Sequence, residues 1–335
     1  MTDVTETRTN TPSNPQPSVA AVVYNPIKVD LDQLREVVTA QANAAGWAES
    51  LWFETSKEDV GQEASRRAIE GGADLIIVAG GDGTVRAVAE AVRGTGTRVA
   101  LLPSGTGNLL ARNLKLTLND ITDSVKVAFT GVDRKIDLGV VDIQRHDGTQ
   151  SRHAFVVMAG LGLDAKMIEN TDDDLKAKAG WAAYIKAIVL SLRDPNQLHV
   201  RYQLDGAAEK RTTVHTLILG NCGSLPGNIL LLPDAKVDDG LFDLMLMRPR
   251  GVIGWVSVWF KVAWINRILR RTSDDASIGK LSSDANLRYQ TGSRLSAHMS
   301  RPEGIELDGD GFGEAAAFNA WMEPGALTVR VPAQN

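Results

Sequence analysis

Three segments that are apolar along their whole length, each followed by a helix-like segment, most constrain the fold of this chain. They begin at residues 19, 74 and 98 and read "VAAVVYNP", "DLIIVAGG" and "RVALLPSGTGN". A shorter strand-like segment, "ESLWFET", follows the first helical segment. Apolar strands that alternate with helices are typical of a parallel sheet that helices cover on both faces. Residues 19–138 are therefore predicted to form an α/β domain.

After residue 138 the pattern changes to strict alternation of apolar and polar residues. Examples are "GVVDIQ", "LHVRYQL" and "ALTVRV", and Asp-Gly pairs stand between strands at 147–148 and 205–206. Period-two segments joined by Asp-Gly turns are typical of antiparallel sheets. Residues 139–331 are predicted to form an antiparallel β-sandwich or open barrel, so the fold class is α/β plus β. Residues 1–18 have the composition of a disordered tail.

The composition argues against several classes of protein. A net charge of -5 is not that of a nucleic-acid-binding protein. The single cysteine, Cys222, excludes an internal disulfide and fits a buried packing residue in a reducing compartment. The histidines lack zinc-binding spacing. No secretory signal is visible, and the longest apolar run, 252–265, is too short to span a bilayer. We expect a cytoplasmic protein, and the sequence leaves its oligomeric state open.

The most informative local pattern is the turn "GGDGT" at residues 80–84, which lies between a strand and a helix. Glycines let backbone N–H groups approach a phosphate, and a helix N-terminus is an anion-binding site. By itself the turn is equally well a tight connection, and it has neither Walker nor Rossmann spacing. Two other loops, at residues 25–26 and 102–108, leave strands at the same predicted edge of the sheet. This convergence favours a nucleotide site.

Six short motifs follow one another in a fixed order along the chain. They are "NP" at 25–26, "GGDGTVRAV" at 80–88, "LPSGTGNLLAR" at 102–112, "KIDLG" at 135–139, "DDGLFDLMLM" at 238–247 and "LDGD" at 307–310. Over roughly residues 19–331 this order resembles the soluble diacylglycerol kinase catalytic family, which includes bacterial lipid kinases and is related to sphingosine kinases. The resemblance implies an ATP-dependent kinase of a lipid hydroxyl, with a nucleotide domain of the NAD-kinase and diacylglycerol-kinase type. Catalysis would occur in the cleft between this domain and the β-sandwich.

The resemblance also implies which residues form the site. The loop at 25–29 belongs to the ATP site, and the individual ATP contacts are Asn25, Pro26, Thr55, Gly80, Gly81, Asp82, Gly83, Thr84, Thr106 and Asn108. A structural Mg²⁺ would bind the carboxylate of Asp239 and the backbone carbonyls of Lys236 and Leu241, because this ion prefers oxygen ligands. The catalytic carboxylates are Asp82, Asp308 and Asp310.

The last motif departs from the family, because Asp308-Gly309-Asp310 stands where Asp-Gly-Glu is usual. Phosphoryl transfer depends on positioning and charge stabilisation, and Asp82 is expected to organise a Mg²⁺ ion through water. A carboxylate of the second domain is expected to accept the proton of the lipid hydroxyl. We favour Asp308 as this base, with Asp310 as its partner, because Asp308 keeps the residue type of the family. Without the other motifs, the segment would be an ordinary hairpin turn.

Other residues have two interpretations. Arg112 is expected to support the nucleotide loop rather than to bind ATP. Asp137 either binds a metal-linked water or satisfies backbone amides at a strand end, and Asn221 is a candidate for the cleft wall. The tryptophan-rich segment 252–269 either docks on a membrane or is a buried helix, and its apolar residues on all sides favour the buried helix.

Two functions other than a lipid kinase are compatible with part of these motifs. An NAD kinase shares the glycine turn but would carry an Asn-Glu pair after it, and this chain has none. A catalytically silent regulator that binds lipid or nucleotide is disfavoured by retention of the glycine loop, Asp82, Thr106 and Asp308. The acceptor is left open among diacylglycerol, a sphingoid base and other lipid alcohols. Transient contact with a membrane surface is expected in each case.

Overall fold

A computed structural model describes residues 17–162, 197–225, 229–248 and 286–333 of the 335-residue chain. Its first part alternates strands and helices as predicted. The elements are β1 Ala20–Tyr24, α1 Leu31–Ala44, β2 Leu51–Glu54, α2 Gln62–Glu70, β3 Leu75–Gly80, α3 Asp82–Val92, β4 Arg98–Pro103, α4 Leu109–Asn113 and α5 Ile121–Thr130. Helix α5 lies in a segment for which no element was predicted.

The four strands of this part form a parallel sheet in the order β2-β1-β3-β4. Strand β3 shows why its sequence is apolar throughout. Ile76 and Val78 belong to the core on one face of the sheet, and Leu75 and Ile77 belong to the core on the other. Parallel strands end at a common edge, so the loops after β1, β3 and β4 lie together.

The second part contains the strands β5 Val132–Gln144, β6 Gln150–Phe155, β7 Met158–Leu161, β8 Leu198–Leu204, β9 Lys210–Val214, β10 Thr216–Gly220, β11 Ser224–Leu225, β12 Ile229–Leu230, β13 Phe242–Met247, β14 Leu287–Gly292, β15 Arg294–Leu307 and β16 Asp310–Val331. Their pairings with one another are antiparallel. The α/β plus β fold class is thereby confirmed.

One continuous sheet joins the two parts of the chain. Strand β5 runs through the predicted boundary at residues 138–139, and β16 pairs with it from Ala317 to Val331. The end of β16 also pairs in parallel with β4, where Val329 lies opposite Val99. The two predicted domains are therefore attached to each other by strands, and the turn between β15 and β16 is brought back towards α3.

The segment "GWAAYIKAIVLSL" at 180–192 has apolar residues at helical spacing, which predicts a helical insertion in the second part of the chain. This segment, the tryptophan-rich segment 252–269 and residues 1–16 of the predicted tail lie outside the described residues. Within the described part of the chain, no helix combines the length and the apolar character that crossing a membrane requires.

Candidate active site

Two glycine loops pack directly against each other at the carboxyl edge of the parallel sheet. A Cβ atom added to Gly105 would lie 2.8 Å from the Cα atom of Gly81. The N–H of Ser104 donates a 3.2 Å hydrogen bond to the carbonyl of Gly80. The glycines after β3 and β4 thus allow a backbone approach that side chains would prevent. A connection needed only to reverse the chain would not require this contact.

The loop after β4 is held in shape by its own side chains. Asn108 adopts a left-handed backbone conformation, with φ of 47°. Its Oδ1 accepts from the N–H of Gly105 at 3.0 Å, and its Nδ2 donates to the carbonyl of Gly105 at 2.8 Å. Arg112 Nε donates to the carbonyl of Gly107 at 2.7 Å, which agrees with the predicted supporting role of Arg112. Thr106 is exposed at the tip of this loop.

Asp82 connects the two loops. It is the first residue of α3, and its Oδ1 accepts a 2.6 Å hydrogen bond from the N–H of Leu109, the first residue of α4. Burial raises the pKa of Asp82, hydrogen bonds from backbone amides and the charge of Lys28 lower it, and the charge of Asp310 raises it. Asp82 therefore lies at the start of two helices, close to one cation and one further carboxylate.

Lys28 is the site residue that the sequence interpretation did not single out, although it lies in the implied loop at 25–29. The N–H of Ile27 donates to Asn25 Oδ1 at 3.0 Å, and the N–H of Lys28 donates to the carbonyl of Asn25 at 3.0 Å. This turn places Lys28 Nζ 3.0 Å from the position that a Cβ atom on Gly81 would occupy. Lys28 could have been identified from the sequence, because it is a cation in the loop that follows the first strand.

Two of the predicted ATP contacts are buried threonines. Thr55 is 5% exposed, and its N–H donates to the carbonyl of Tyr24 at 2.9 Å. Thr84 is 7% exposed and packs under Gly80, where an added Cβ would lie 2.7 Å from its Oγ1. Both threonines are buried at this edge of the sheet, and their contact with a nucleotide stays a prediction.

Asp308 lies in the turn between β15 and β16, with a left-handed φ of 51°. Its carboxylate is buried and accepts hydrogen bonds from the N–H groups of Val156 at 2.8 Å, Val157 at 2.8 Å and Met158 at 2.9 Å. Burial raises the pKa of Asp308 to about 6, against the lowering effect of these amides and of the Arg86 charge. Asp308 thus fastens its turn to the connection between β6 and β7.

Asp310 has a different environment. Its side chain is 50% exposed, and its Oδ2 is 3.1 Å from Arg86 Nη2 on α3. A Cβ atom on Gly83 would lie 2.7 Å from the same oxygen, so the carboxylate lies over the first turn of α3. Asp310 is thus the more accessible of the two carboxylates, whereas residue type had favoured Asp308 as the base.

Asp137 and Asn221 brace the junction between the two parts of the sheet. Asp137 accepts from the N–H groups of Gly240 at 2.6 Å and Gly325 at 2.8 Å, in agreement with the second interpretation of this residue. Asn221 is fully buried, and its Nδ2 donates to the carbonyls of Asp137 at 3.1 Å and Val156 at 3.0 Å. Asn221 was a candidate for the cleft wall, but its complete burial shows that it does not line an open cleft.

The predicted structural Mg²⁺ would lie in the loop that Asp137 fixes. Asp239 is exposed, and its Oδ1 accepts from the N–H of Leu241 at 3.0 Å. A carboxylate together with backbone carbonyls, here those predicted at Lys236 and Leu241, has the oxygen chemistry that Mg²⁺ prefers. No group of three His, Cys, Asp or Glu side chains among the described residues could hold a metal. This metal set stays a prediction.

Each of the two parts of the chain matches the model of a known domain family. Residues 19–141 match the diacylglycerol kinase catalytic domain, and residues 156–331 match the YegS C-terminal NAD kinase beta sandwich-like domain. The chain is 28% identical over 300 residues to a diacylglycerol kinase of Bacillus subtilis (strain 168), covering 87% of this chain and 89% of that protein. It is 30% identical over 234 residues to a diacylglycerol kinase of Staphylococcus carnosus (strain TM300), covering 68% and 72%.

A solved structure has the same fold. The crystal structure of a diacylglycerol kinase from Bacillus anthracis str. Sterne superposes with a TM-score of 0.63 at 17% identity, covering 95% of this chain and 97% of that one. The likeness extends over both the parallel and the antiparallel parts of the chain.

Proposed function

Because the chain belongs to the family of the diacylglycerol kinase catalytic domain, we propose that it transfers the γ-phosphoryl group of ATP to the hydroxyl of diacylglycerol, with Mg²⁺, and forms phosphatidic acid. The single observation that supports this most directly is the convergence of Lys28, Asp82 and Asp310 on the N-terminus of α3. The alternative acceptor is a sphingoid base or another lipid alcohol.

The phosphates of ATP are proposed to bind at the start of α3. The first N–H groups of a helix have no partner within it and carry the positive end of the helix dipole. Gly81 keeps this end open to a phosphate, and Lys28 Nζ adds a full positive charge beside it, whereas the Cβ positions of Gly80 and Gly83 face Thr84 and Asp310. The exposed hydroxyl of Thr106 is proposed as a further phosphate contact.

Asp82 is proposed to organise the catalytic Mg²⁺ through water, and Asp310 lies beside it at the same helix end. Mg²⁺ sites in kinases usually have one or two carboxylates together with substrate phosphates, so Asp82 and the phosphates of ATP suffice for this ion. When bound, the ion neutralises charge on the phosphate oxygens during transfer. The carboxylate of Asp239 and the carbonyls of Lys236 and Leu241 are proposed for a second, structural ion.

Asp310 is also proposed to accept the proton of the attacking hydroxyl. Its half-exposed oxygens are accessible to a substrate, whereas the oxygens of Asp308 are engaged by three amides. In the proposed step the lipid oxygen bonds to the γ-phosphorus, the bond from that phosphorus to ADP breaks, and the hydroxyl proton goes to Asp310. Removal of a general base typically lowers the rate by about 10²–10⁴-fold. Asp308 is proposed to fix the turn that carries Asp310.

The proposal is tested by incubating the protein with γ-labelled ATP, Mg²⁺ and mixed vesicles that contain diacylglycerol, sphingosine or a total lipid extract. We expect label in phosphatidic acid, and its loss in Asp82→Asn. Label only in sphingosine phosphate or in another lipid would transfer the proposal to the alternative acceptor. ATP binding without labelled lipid in any mixture would favour a silent regulator, and labelled NADP from added NAD would favour an NAD kinase.

A further inference from the structure

We infer that Arg86 is a positioning residue that holds Asp310 in place from across the junction of the two domains. Arg86 lies one turn into α3, and its Nη2 is 3.1 Å from Asp310 Oδ2 at the start of β16. The two residues are 224 positions apart in the sequence. This inference rests on the proposed function, because it assigns a role to Asp310 in the transfer.

The contacts of Arg86 restrict the orientation of its side chain. The side chain is 5% exposed, and its guanidinium carbon lies 4.5 Å from the centroid of the Phe312 ring. Phe312 follows Asp310 by two residues on β16, so the arginine contacts the carboxylate and the ring on the same strand. Guanidinium groups stack on aromatic rings and bind carboxylates with a fixed planar geometry. Asp310, which is half exposed, gains a defined orientation from this buried partner.

Stability alone does not explain a buried arginine at this position. Among the described residues, Arg86 Nε is buried and has no hydrogen-bond partner. A buried donor without a partner destabilises a protein, and a buried ion pair is often no more stabilising than an apolar replacement. The pair is therefore better explained by the place at which it holds the Asp310 carboxylate, next to Gly83 at the start of α3.

The experiment compares Arg86→Met, Asp310→Asn and the double variant with the wild type. The assay measures kcat with diacylglycerol vesicles, the KM for ATP, and the melting temperature. We expect Arg86→Met to lower kcat about 10–100-fold, since misplacement of a group by about 1 Å can cost about 100-fold. The KM for ATP should change less than about threefold. The double variant should be no slower than Asp310→Asn, because residues that act as a unit are not additive.

The matched control is Arg93→Met. Arg93 is the C-cap residue of α3. It also pairs across the junction, with its Nε 2.6 Å from Glu323 Oε2. This pair lies about three helical turns from Asp82. We expect Arg93→Met to lower the melting temperature and to leave kcat within about twofold of wild type. If Arg86→Met does not fold, Arg86→Gln has the same expected effect.

The outcomes separate this inference from the proposed function. A wild type that phosphorylates no lipid overturns the proposed function, and the inference with it. A wild type that phosphorylates lipid, together with an Arg86→Met variant of full kcat, overturns the inference alone. An equal loss of kcat in Arg93→Met also overturns it, because the effect would then be a general loosening of the junction. The inference is also overturned if the loss of kcat in the double variant equals the product of the losses in Arg86→Met and Asp310→Asn, because the two residues would then act independently.

Discussion

Gly83→Ala places a methyl group next to the carboxylate that we propose to act on the lipid hydroxyl. The new Cβ would lie 2.7 Å from Asp310 Oδ2, whereas ordinary contacts begin at 3.4 Å. The carboxylate must therefore withdraw by about 0.7 Å (3.4 − 2.7). The displaced atom is the end of a half-exposed side chain and can turn away without movement of the backbone, but the same oxygen lies 3.1 Å from Arg86 Nη2, so this contact is lengthened. Alanine in place of glycine also favours a helix by up to about 1 kcal/mol.

We therefore expect Gly83→Ala to fold with a melting temperature close to that of wild type, because the gain in helix propensity offsets the weaker Arg86 contact, and to have a kcat about 10–100-fold lower. The magnitude follows from the sensitivity of catalysis to displacements of this size. The measurements are kcat with diacylglycerol vesicles, the KM for ATP, and thermal unfolding. A loss of activity without a loss of stability is the result that distinguishes a displaced catalytic group from a damaged fold.

Gly311→Ala is the matched control. Gly311 follows Asp310 directly, and no described atom lies within 4 Å of a Cβ built on it. Its kcat should stay within about twofold of wild type. Wild-type kcat in Gly83→Ala would refute the role of Asp310, and would return attention to Asp308. An increase in the KM for ATP at unchanged kcat would mean that the methyl group meets the nucleotide instead.

Three further predictions concern neighbouring residues. Lys28→Met should raise the KM for ATP about tenfold and leave the KM for lipid unchanged, because one charge–phosphate contact contributes on the order of 1.5 kcal/mol; an unchanged ATP titration would contradict this. Asp82→Asn should remove activity at any Mg²⁺ concentration while the melting temperature changes little, and wild-type turnover would exclude its role. Burial raises the pKa of Asp308 to about 6 from 3.8, so the folded state holds this proton more tightly. The stability that Asp308 contributes should therefore fall as the pH rises from about 4 to about 6, by roughly 3 kcal/mol, and stay constant above. Thermal unfolding of wild type and of Asp308→Asn measures how the stability of each depends on pH over this pH range. Two proteins with the same pH dependence would refute the prediction.

The sequence predicted the parallel part of the fold well, because its signals are local. Apolar runs that end in glycine or proline located β1, β3 and β4, and the motifs located the loops that follow them. Helix α5 was missed although its signal is present. Asp120 accepts from the N–H of Asp123 as a helix cap, and Val125, Ala128 and Phe129 are buried on one face.

The antiparallel part was predicted only in pieces, because strand length depends on partners. The pattern "ALTVRV" marks the end of β16, but the strand has 22 residues and pairs with three neighbours. Its register with β5 shifts between Glu323 and Leu327, where Pro324 and Gly325 interrupt the apolar pattern. A periodicity argument ends at such a break, whereas the paired strand continues through it.

The environments of the site residues depend on contacts between residues that are far apart in the sequence. Such contacts cannot be predicted from a local sequence pattern. The motif "LDGD" placed Asp308 and Asp310 in one turn, and residue type alone favoured Asp308 as the base. Only the fold shows that three amides surround Asp308 and that Asp310 faces α3. The position of Lys28 over Gly81 has the same origin, since it depends on how two strands lie side by side.

Helix α3 explains why donor and acceptor groups can be aligned in this fold. Its N-terminus is the proposed phosphate site, and its body contacts the second domain at Arg86, at Glu90, which accepts from the N–H of Ala154 at 2.8 Å, and at Arg93. In the proposed function the same helix therefore positions both the phosphates and the carboxylate that meets the hydroxyl. In-line transfer requires both to be placed relative to each other, and a helix is a stiffer reference than a loop. Contacts near its start should therefore control kcat, while contacts near its end should control stability, as the comparison of Arg86→Met with Arg93→Met is designed to measure.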